Sequence, residues 1–327
     1  MKKFMKGCGI TALILLILGL IMAVVAGSIQ GRTTIEDVVE GVTGGRVKLH
    51  LAPWGDEWGI TIGDNVFSDF IERNSDMKFD IGNNISFDKS FEIFKGDMDK
   101  SLLGNGVQNL DIEASGCLFT VERSEDDNFY MEGTNIGKAQ GFVKNQTLYV
   151  KVYQSGKVSI SDIKTCRITL YVPENSSFDE VEIEVGAGQF KLADILAKEL
   201  SADVGAGEMI LSDIIADNIE ANVGMGRVSL DNVQVQALDA EVGMGSLELQ
   251  GDILQKADLE CSMGNIEMTL NGKEEDFNYY LEGAMGNVSI GRDSFSGFAQ
   301  ERTIQNNADK NINAECAMGN INISFTP

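Results

Sequence analysis

Proline is nearly missing from this sequence, with 3 residues in 327, and histidine occurs once, at His50. So little proline leaves long stretches in which strands can pair without interruption, and 36 glycines supply the bends. A single histidine and no Cys-x-x-Cys leave a zinc site short of ligands. No Ser-His-Asp set can be drawn from the body of the chain, and no Gly-Lys-Ser/Thr loop is present to cradle a phosphate. Positive charge is scarce as well, 26 Lys+Arg against 50 Asp+Glu. Because Lys2, Lys3 and Lys6 precede the first apolar run, the remainder carries 23 positive against 50 negative side chains, which argues against nucleic acid as a partner. Hydrophobic content of 43% is too high for a disordered chain and suits one large or two small domains.

What the sequence does contain begins with residues 9–27, GITALILLILGLIMAVVAG, an uncharged run of 19 residues. At 1.5 Å per residue it is long enough to cross a hydrocarbon core of about 30 Å. The basic residues before it and Glu36, Asp37 and Glu40 after it orient the N-terminus inside and the bulk of the chain outside. A cleaved signal peptide is the competing reading, since Val24 and Ala26 are small enough for the −3 and −1 positions. The expected organisation is a basic cytoplasmic end at 1–8, a transmembrane helix at 9–27, a membrane-proximal linker with a small strand region at 28–106, and a repetitive body at 107–327. Within the linker, Thr34 to Val42 reads as an acidic helix, and Trp54 and Trp58 mark an aromatic segment.

Self-comparison exposes the repeat. Gly188, Gly207, Gly226, Gly245 and Gly264 stand 19 residues apart inside GAG, GAG, GMG, GMG and SMG, with further copies at Gly286 and Gly319. Apolar columns recur at Phe190, Met209, Val228, Leu247 and Ile266, and at Val185, Val204, Val223, Val242 and Cys261. Inside each copy the apolar positions alternate, which is the period of a strand. An odd repeat would swap the buried face from copy to copy, so each copy must bend and reset its phase. One reset is expected at Gly207 and its equivalents, between an inward Ala206 and Met209, and a second at Ser212-Asp213, Asp231-Asn232 and Gly251-Asp252. The predicted architecture is all-β, a β-solenoid of stacked 19-residue coils with apolar ladders inside. The runs 107–121, 147–160 and 166–172 read as broader first coils, and 271–283 and 291–311 as insertions before the last copy.

No catalytic, cofactor-binding or metal-ligating residue is assigned, and no cofactor is expected. Four features were weighed against their structural readings. Met225, Met244, Met263, Met285 and Met318 could hold a soft ion such as Cu(I), but the alternation places them on the inward face, as core filling. Cys117 and Cys166 lie in strand-like runs, either as a pair or as two small buried side chains. Cys261 and Cys316 share the valine column with Gly283 expected in the coil between them. Two rungs would part them by ~9.6 Å, beyond disulfide reach, leaving free buried thiols. Asp194 with Asp213 at a corner, and Asp203, Asn222, Glu241 and Glu260 on an outward column, suit turn chemistry or a hard cation such as Ca²⁺.

The long alternating strands, the run LYVPENSSFDEVEIEVGAG and the copies of the form A-x-V-G-x-G-x-apolar-x-L resemble the bacterial putative-adhesin β-strand-repeat family over Val107 to Phe325. The resemblance implies a surface-facing or membrane-tethered envelope protein, in some members encoded beside envelope-stress regulators, and carries over no functional residue. The expected function is therefore non-catalytic binding or scaffolding at the cell envelope. The membrane is a partner through the N-terminal helix, and the other partner is a wall polymer or an envelope or surface protein. A tethered regulator of envelope stress is the alternative, and a polysaccharide-cleaving enzyme the more distant one.

Overall fold

The computed structural model describes residues 47–50, 59–62 and 78–80 and, from residue 85 on, all but 155–156, 175, 292, 297–299 and 327. The expected transmembrane helix at 9–27, the acidic helix at 34–42 and the Trp54 and Trp58 segment lie outside the described residues. Among the described residues no helix is long and apolar enough to cross a membrane.

The chain is all-β. Three short strands come first: β1 (Val47–His50) and β2 (Gly59–Ile62), paired antiparallel, and β3 (Lys78–Asp80). Then follow β4 (Phe94–Gly104), β5 (Asn109–Ser115), β6 (Cys117–Ser124), β7 (Phe129–Lys144), β8 (Thr147–Tyr153), β9 (Lys157–Ser159) and one short helix, α1 (Ile160–Thr165). β10 (Arg167–Pro173) and β11 (Ser177–Val185) lead into four long strands, β12 (Gly188–Val204), β13 (Glu208–Val223), β14 (Arg227–Val242) and β15 (Ser246–Cys261). The last part comprises β16 (Asn265–Asn271), β17 (Phe277–Gly283), β18 (Asn287–Ile290), β19 (Asp293–Ser296), β20 (Gln300–Ile304), β21 (Lys310–Cys316) and β22 (Asn320–Thr326). Eighteen of these strands join one sheet, β4 among them through its antiparallel pairing with β7.

The 19-residue period is the register of the central stack. β12, β13, β14 and β15 pair parallel, Phe190 with Met209, Met209 with Val228 and Val228 with Leu247. Each long strand turns three sides. Inward residues run Phe190, Leu192, then Ile195, Ala197, then Leu200, Ala202, Val204, all buried. The phase slips by one residue between Leu192 and Ile195 and again between Ala197 and Leu200, and the turn after Val204 completes the odd repeat. The first slip is made by Asp194, Asp213 and Asn232, which hold left-handed φ of 57°, 55° and 53°, a conformation that Asp and Asn tolerate better than most residues. The middle slip has no turn residue of its own in the sequence.

The last residue of each G-x-G turn is packed too closely for a side chain. A Cβ on Gly207 or Gly245 would approach the Cγ1 of Val185 or Val223 to 2.8 Å. The residue between the glycines swings outward instead, which corrects the inward assignment of the methionines. Met225, Met244 and Met285 are exposed, Met263 is half-buried and Met318 alone is buried. Ala206 is likewise half-buried. Alternation does not carry through this turn, where the next buried residues after Val204 are Gly207 and Met209.

Chain order and spatial order part at both ends. β5 and β6 lie between β8 and β10 on one side and β11 and β12 on the other, so the coil at 109–124 is inserted between two later ones. At the far end β21 and β22 pair with β15 and β16 on one side and with β17 and β18 on the other. The final segment is thus the penultimate coil, and the expectation that the coil of Gly283 separates Cys261 from Cys316 is overturned. They are direct register partners, both buried and both free thiols. Antiparallel strands cover the outer edges, β7 over β8 and β10, and β20 and β19 over β17 and β18. Capping of this kind covers the edges of β8, β10, β17 and β18 with antiparallel strands.

Candidate binding surface

The side of the stack formed by β8, β5, β11, β12, β13, β14, β15, β21 and β17, in that spatial order, carries two outward columns of acidic side chains. One runs Lys151, Glu113, Glu184, Asp203, Asn222, Glu241, Glu260, Glu315, Glu282. The second, two residues away on each strand, runs Tyr149, Asp111, Glu182, Ser201, Glu220, Asp239, Asp258, Asn313, Tyr280. The strand period places both columns on the solvent side, because Ile183, Ala202, Ala221, Ala240 and Leu259 between them are all buried. Neighbouring members of a column are one rung, ~4.8 Å, apart.

Carboxylates this close and partly buried resist ionisation. Asp111, Glu182, Glu184 and Glu315 are all held above the ordinary carboxylate range, in each case first by partial burial. Neighbouring carboxylates add to the shift, Asp111, Glu180, Asp203 and Glu113 around Glu182, and Glu282 and Asp258 around Glu315. Amides and a few cations offset the repulsion. Asn222 Nδ2 donates to Asp203 Oδ1 at 2.7 Å and to Glu220 Oε1 at 3.2 Å, and Asn313 Nδ2 donates to Asp258 Oδ1 at 2.6 Å. Lys151 pairs with Glu113, and Lys256 Nζ lies 3.1 Å from Asp258.

A shallow depression of about 460 Å³ lies along this face, with Glu182, Glu199, Glu220, Asp239 and Lys256 among its lining residues. Its long axis crosses several rungs, so it presents repeated negative groups rather than one deep pocket.

The expected outward column is where the structure puts it, and Asp203, Asn222, Glu241 and Glu260 come together there. The sequence reading saw four members and missed its continuation through Glu113, Glu184, Glu315 and Glu282, and missed the second column. A signal was present, acid-apolar-acid in Asp111 to Glu113, Glu182 to Glu184, Asp239 to Glu241 and Asp258 to Glu260. Asp194 and Asp213 stand apart at the left-handed corner, where Asn232 Nδ2 donates to Asp213 Oδ1 at 2.5 Å. Among the described residues no three of His, Cys, Asp and Glu are grouped to hold a metal ion.

No curated protein matches this chain. Among solved structures it is similar to a putative adhesin from Bacteroides fragilis, 14% identical with a TM-score of 0.41 over 71% of this chain and 97% of that one. It is also similar to a putative cell adhesion protein from Clostridium sporogenes, 16% identical with a TM-score of 0.31 over 72% and 98%. A putative adhesin from Parabacteroides distasonis is 14% identical, with a TM-score of 0.34 over 71% and 98%. The family described as Toastrack DUF4097 matches residues 143–324, more than half of the sequence and the whole of the regular repeat. The resemblance carried by the G-x-G copies is borne out, and the chain belongs to the Toastrack DUF4097 family.

Proposed function

We propose that this protein is a non-catalytic binding and scaffolding module, a β-solenoid held outside a bacterial cell membrane by its apolar N-terminal segment. Its contact surface is the acidic sheet face, and its partner is basic, an amine-bearing wall polymer or the lysine-rich surface of an envelope protein. The observation that carries this reading is the pair of carboxylate columns on one side of the stack. A rigid face with one sign of charge repeated every rung recruits a partner of opposite sign and fixes its register. Adhesin-like names among the similar structures agree with a binding role. A polysaccharide-cleaving reading fits less well, because paired catalytic carboxylates work in a cleft that holds the sugar, and these side chains line an open sheet. A tethered regulator would use the same face to sense its partner.

The test is co-sedimentation of the full chain in detergent with isolated cell walls and with membrane vesicles, at about 0.05 and about 0.5 M salt. Wall or protein-dependent membrane binding that is lost at high salt, and lost on Glu182→Lys/Glu220→Lys/Asp239→Lys, is the expected result. Binding indifferent to salt and to these substitutions would remove the acidic face as the contact surface.

A further inference from the structure

Four of the five cysteines lie among the described residues, and they meet as two couples. Cys261 of β15 and Cys316 of β21 are register partners, each 2% exposed, and both are free thiols. Cys117 opens β6 and Cys166 directly precedes β10. They continue the parallel register of those strands by one residue, and their thiols are also buried and free. Both couples sit where spatial order departs from chain order. Cys117 belongs to the inserted coil at one end and Cys166 to the coil outside it. Cys316 belongs to the inserted coil at the other end and Cys261 to the coil inside it. In each case a glycine faces the inserted cysteine from the next strand, Gly188 beside Cys117 and Gly283 beside Cys316.

In the second couple the sulfurs take the place of valine methyls, Cys261 Sγ against Gly319 and Cys316 Sγ against Gly286. In the regular coils the last glycine of the turn faces the Cγ1 of a valine, as Gly226 faces Val204 at 2.6 Å from a would-be Cβ. At Gly319 the Sγ of Cys261 takes that place at 2.6 Å. Directly paired parallel strands hold their Cα atoms ~4.8 Å apart, inside the 4.4 to 6.8 Å range that disulfides span.

We propose that Cys117 with Cys166, and Cys261 with Cys316, are disulfide sites that clamp the two out-of-sequence coils to their neighbours. The sulfurs are sealed in the finished stack, so oxidation belongs to the stage at which the inserted coil docks. A thiolate of one cysteine attacks a disulfide oxidant of the glutathione or thiol-oxidoreductase class, releasing one oxidant thiol. The second cysteine, losing its proton, then attacks the mixed disulfide and releases the other. Two protein thiols become one disulfide, and the oxidant disulfide becomes two thiols.

The experiment uses the full chain carrying Cys8→Ser, reduced and unfolded, then refolded in a buffer of glutathione disulfide and glutathione. Maleimide labelling in denaturant and a non-reducing peptide map read the outcome. Two bridges, 117 to 166 and 261 to 316, with no labelled thiol and the mass of four hydrogens lost, are expected. Four labelled thiols, or bridges crossing between the couples, would overturn the assignment. Cys316→Ala is expected to leave Cys261 labelled and the other bridge intact, and Cys117→Ala provides the reciprocal result should the first variant fold poorly. Hydrogen exchange in β5, β6, β21 and β22 is expected to slow on oxidation, and equal protection in the oxidised and reduced proteins would overturn the clamping role.

Discussion

The middle of the stack and its two ends are built from the same strands by different rules. From β12 to β15 each coil rests on the one just before it in the chain, and one 19-residue period sets every rung. At the ends a coil distant in sequence slides between two others. A sequential coil closes a short loop to reach its neighbour. An inserted coil closes one of about 50 residues, at a larger entropic cost that grows only slowly with length. The middle is therefore stabilised by local repetition, whereas each end depends on long-range docking and its antiparallel cap. Repeat arrays whose coils touch only their neighbours can lose their ends before their middle.

The largest effect is expected from Val223→Asp, in the centre of the sequential part. Val223 is buried between Val204 and Val242 with no polar partner on its column, and an unpaired carboxylate there costs about 4 kcal/mol or more. Thermal and denaturant melts of this variant should show loss of the whole fold, and a melt like the parent's would show that the column does not face the core. Ile312→Asp makes the same change in the inserted strand β21, on the column of Ile219, Leu238 and Ala257. The intrinsic cost is similar, yet its reach should be shorter. Hydrogen exchange is expected to quicken in β16 to β22 while β12 to β14 keep their protection. Global loss of protection would mean that ends and middle form one cooperative unit.

What was legible in the sequence follows the same division. The columns of the middle coils could be read by alignment because every rung repeats the same residue type, and Leu200, Ile219 and Leu238 are buried as that alignment required. Asp213 and Asn232 announced their corner, since few residues accept left-handed φ. The third side was hidden, as Lys198 and Glu199 carry no turn signature. The methionines misled for a physical reason: alternation holds only while the chain is extended, and the G-x-G turn is not. The order of the end coils could not be read at all, because β17 and β21 both carry the alternation that would continue the second half of β15. Which of them docks is decided by loop reach and by contacts such as Cys261 with Cys316 and Tyr279 with Ile312. The acidic face was half legible, as four members, Asp203, Asn222, Glu241 and Glu260, of a column that runs the length of the stack.

A smaller effect, spread over both regions, concerns pH. Asp111, Glu182 and Glu184 near one end and Glu315 near the other hold their protons to higher pH than the unfolded chain does. Their contribution to stability is full below the unfolded value of about 4 and is lost as pH rises through the folded values. Asp126 acts in the opposite sense. The Tyr130 hydroxyl, 2.7 Å away, and the Asn128 N–H lower it to about 2, so the stability it contributes is lost as pH falls from about 4 towards 2. The melting temperature is expected to rise modestly as the pH falls from 7 towards about 4, and to fall below that. A profile that only falls on acidification would mean that the acidic face is less strained than its geometry indicates.

The smallest effect separates the two regions most finely. Asn222 is the amide that interrupts a carboxylate column in the middle, donating to Asp203 and Glu220, and Asn313 does the same beside Asp258 at the inserted coil. Asn222→Asp and Asn313→Asp each exchange donated hydrogen bonds for a like charge directly opposite a carboxylate, at about 0.5 to 1 kcal/mol at half-buried Asn222 and less at exposed Asn313. Salt should shrink the cost in both variants. In the middle the loss should appear in the global melt, because β13 cannot loosen without β12 and β14. At the inserted coil it should appear mainly as faster exchange in β21 and β22, with the melt little changed. If both substitutions lower the global melt equally, docking at the ends is as cooperative as repetition in the middle.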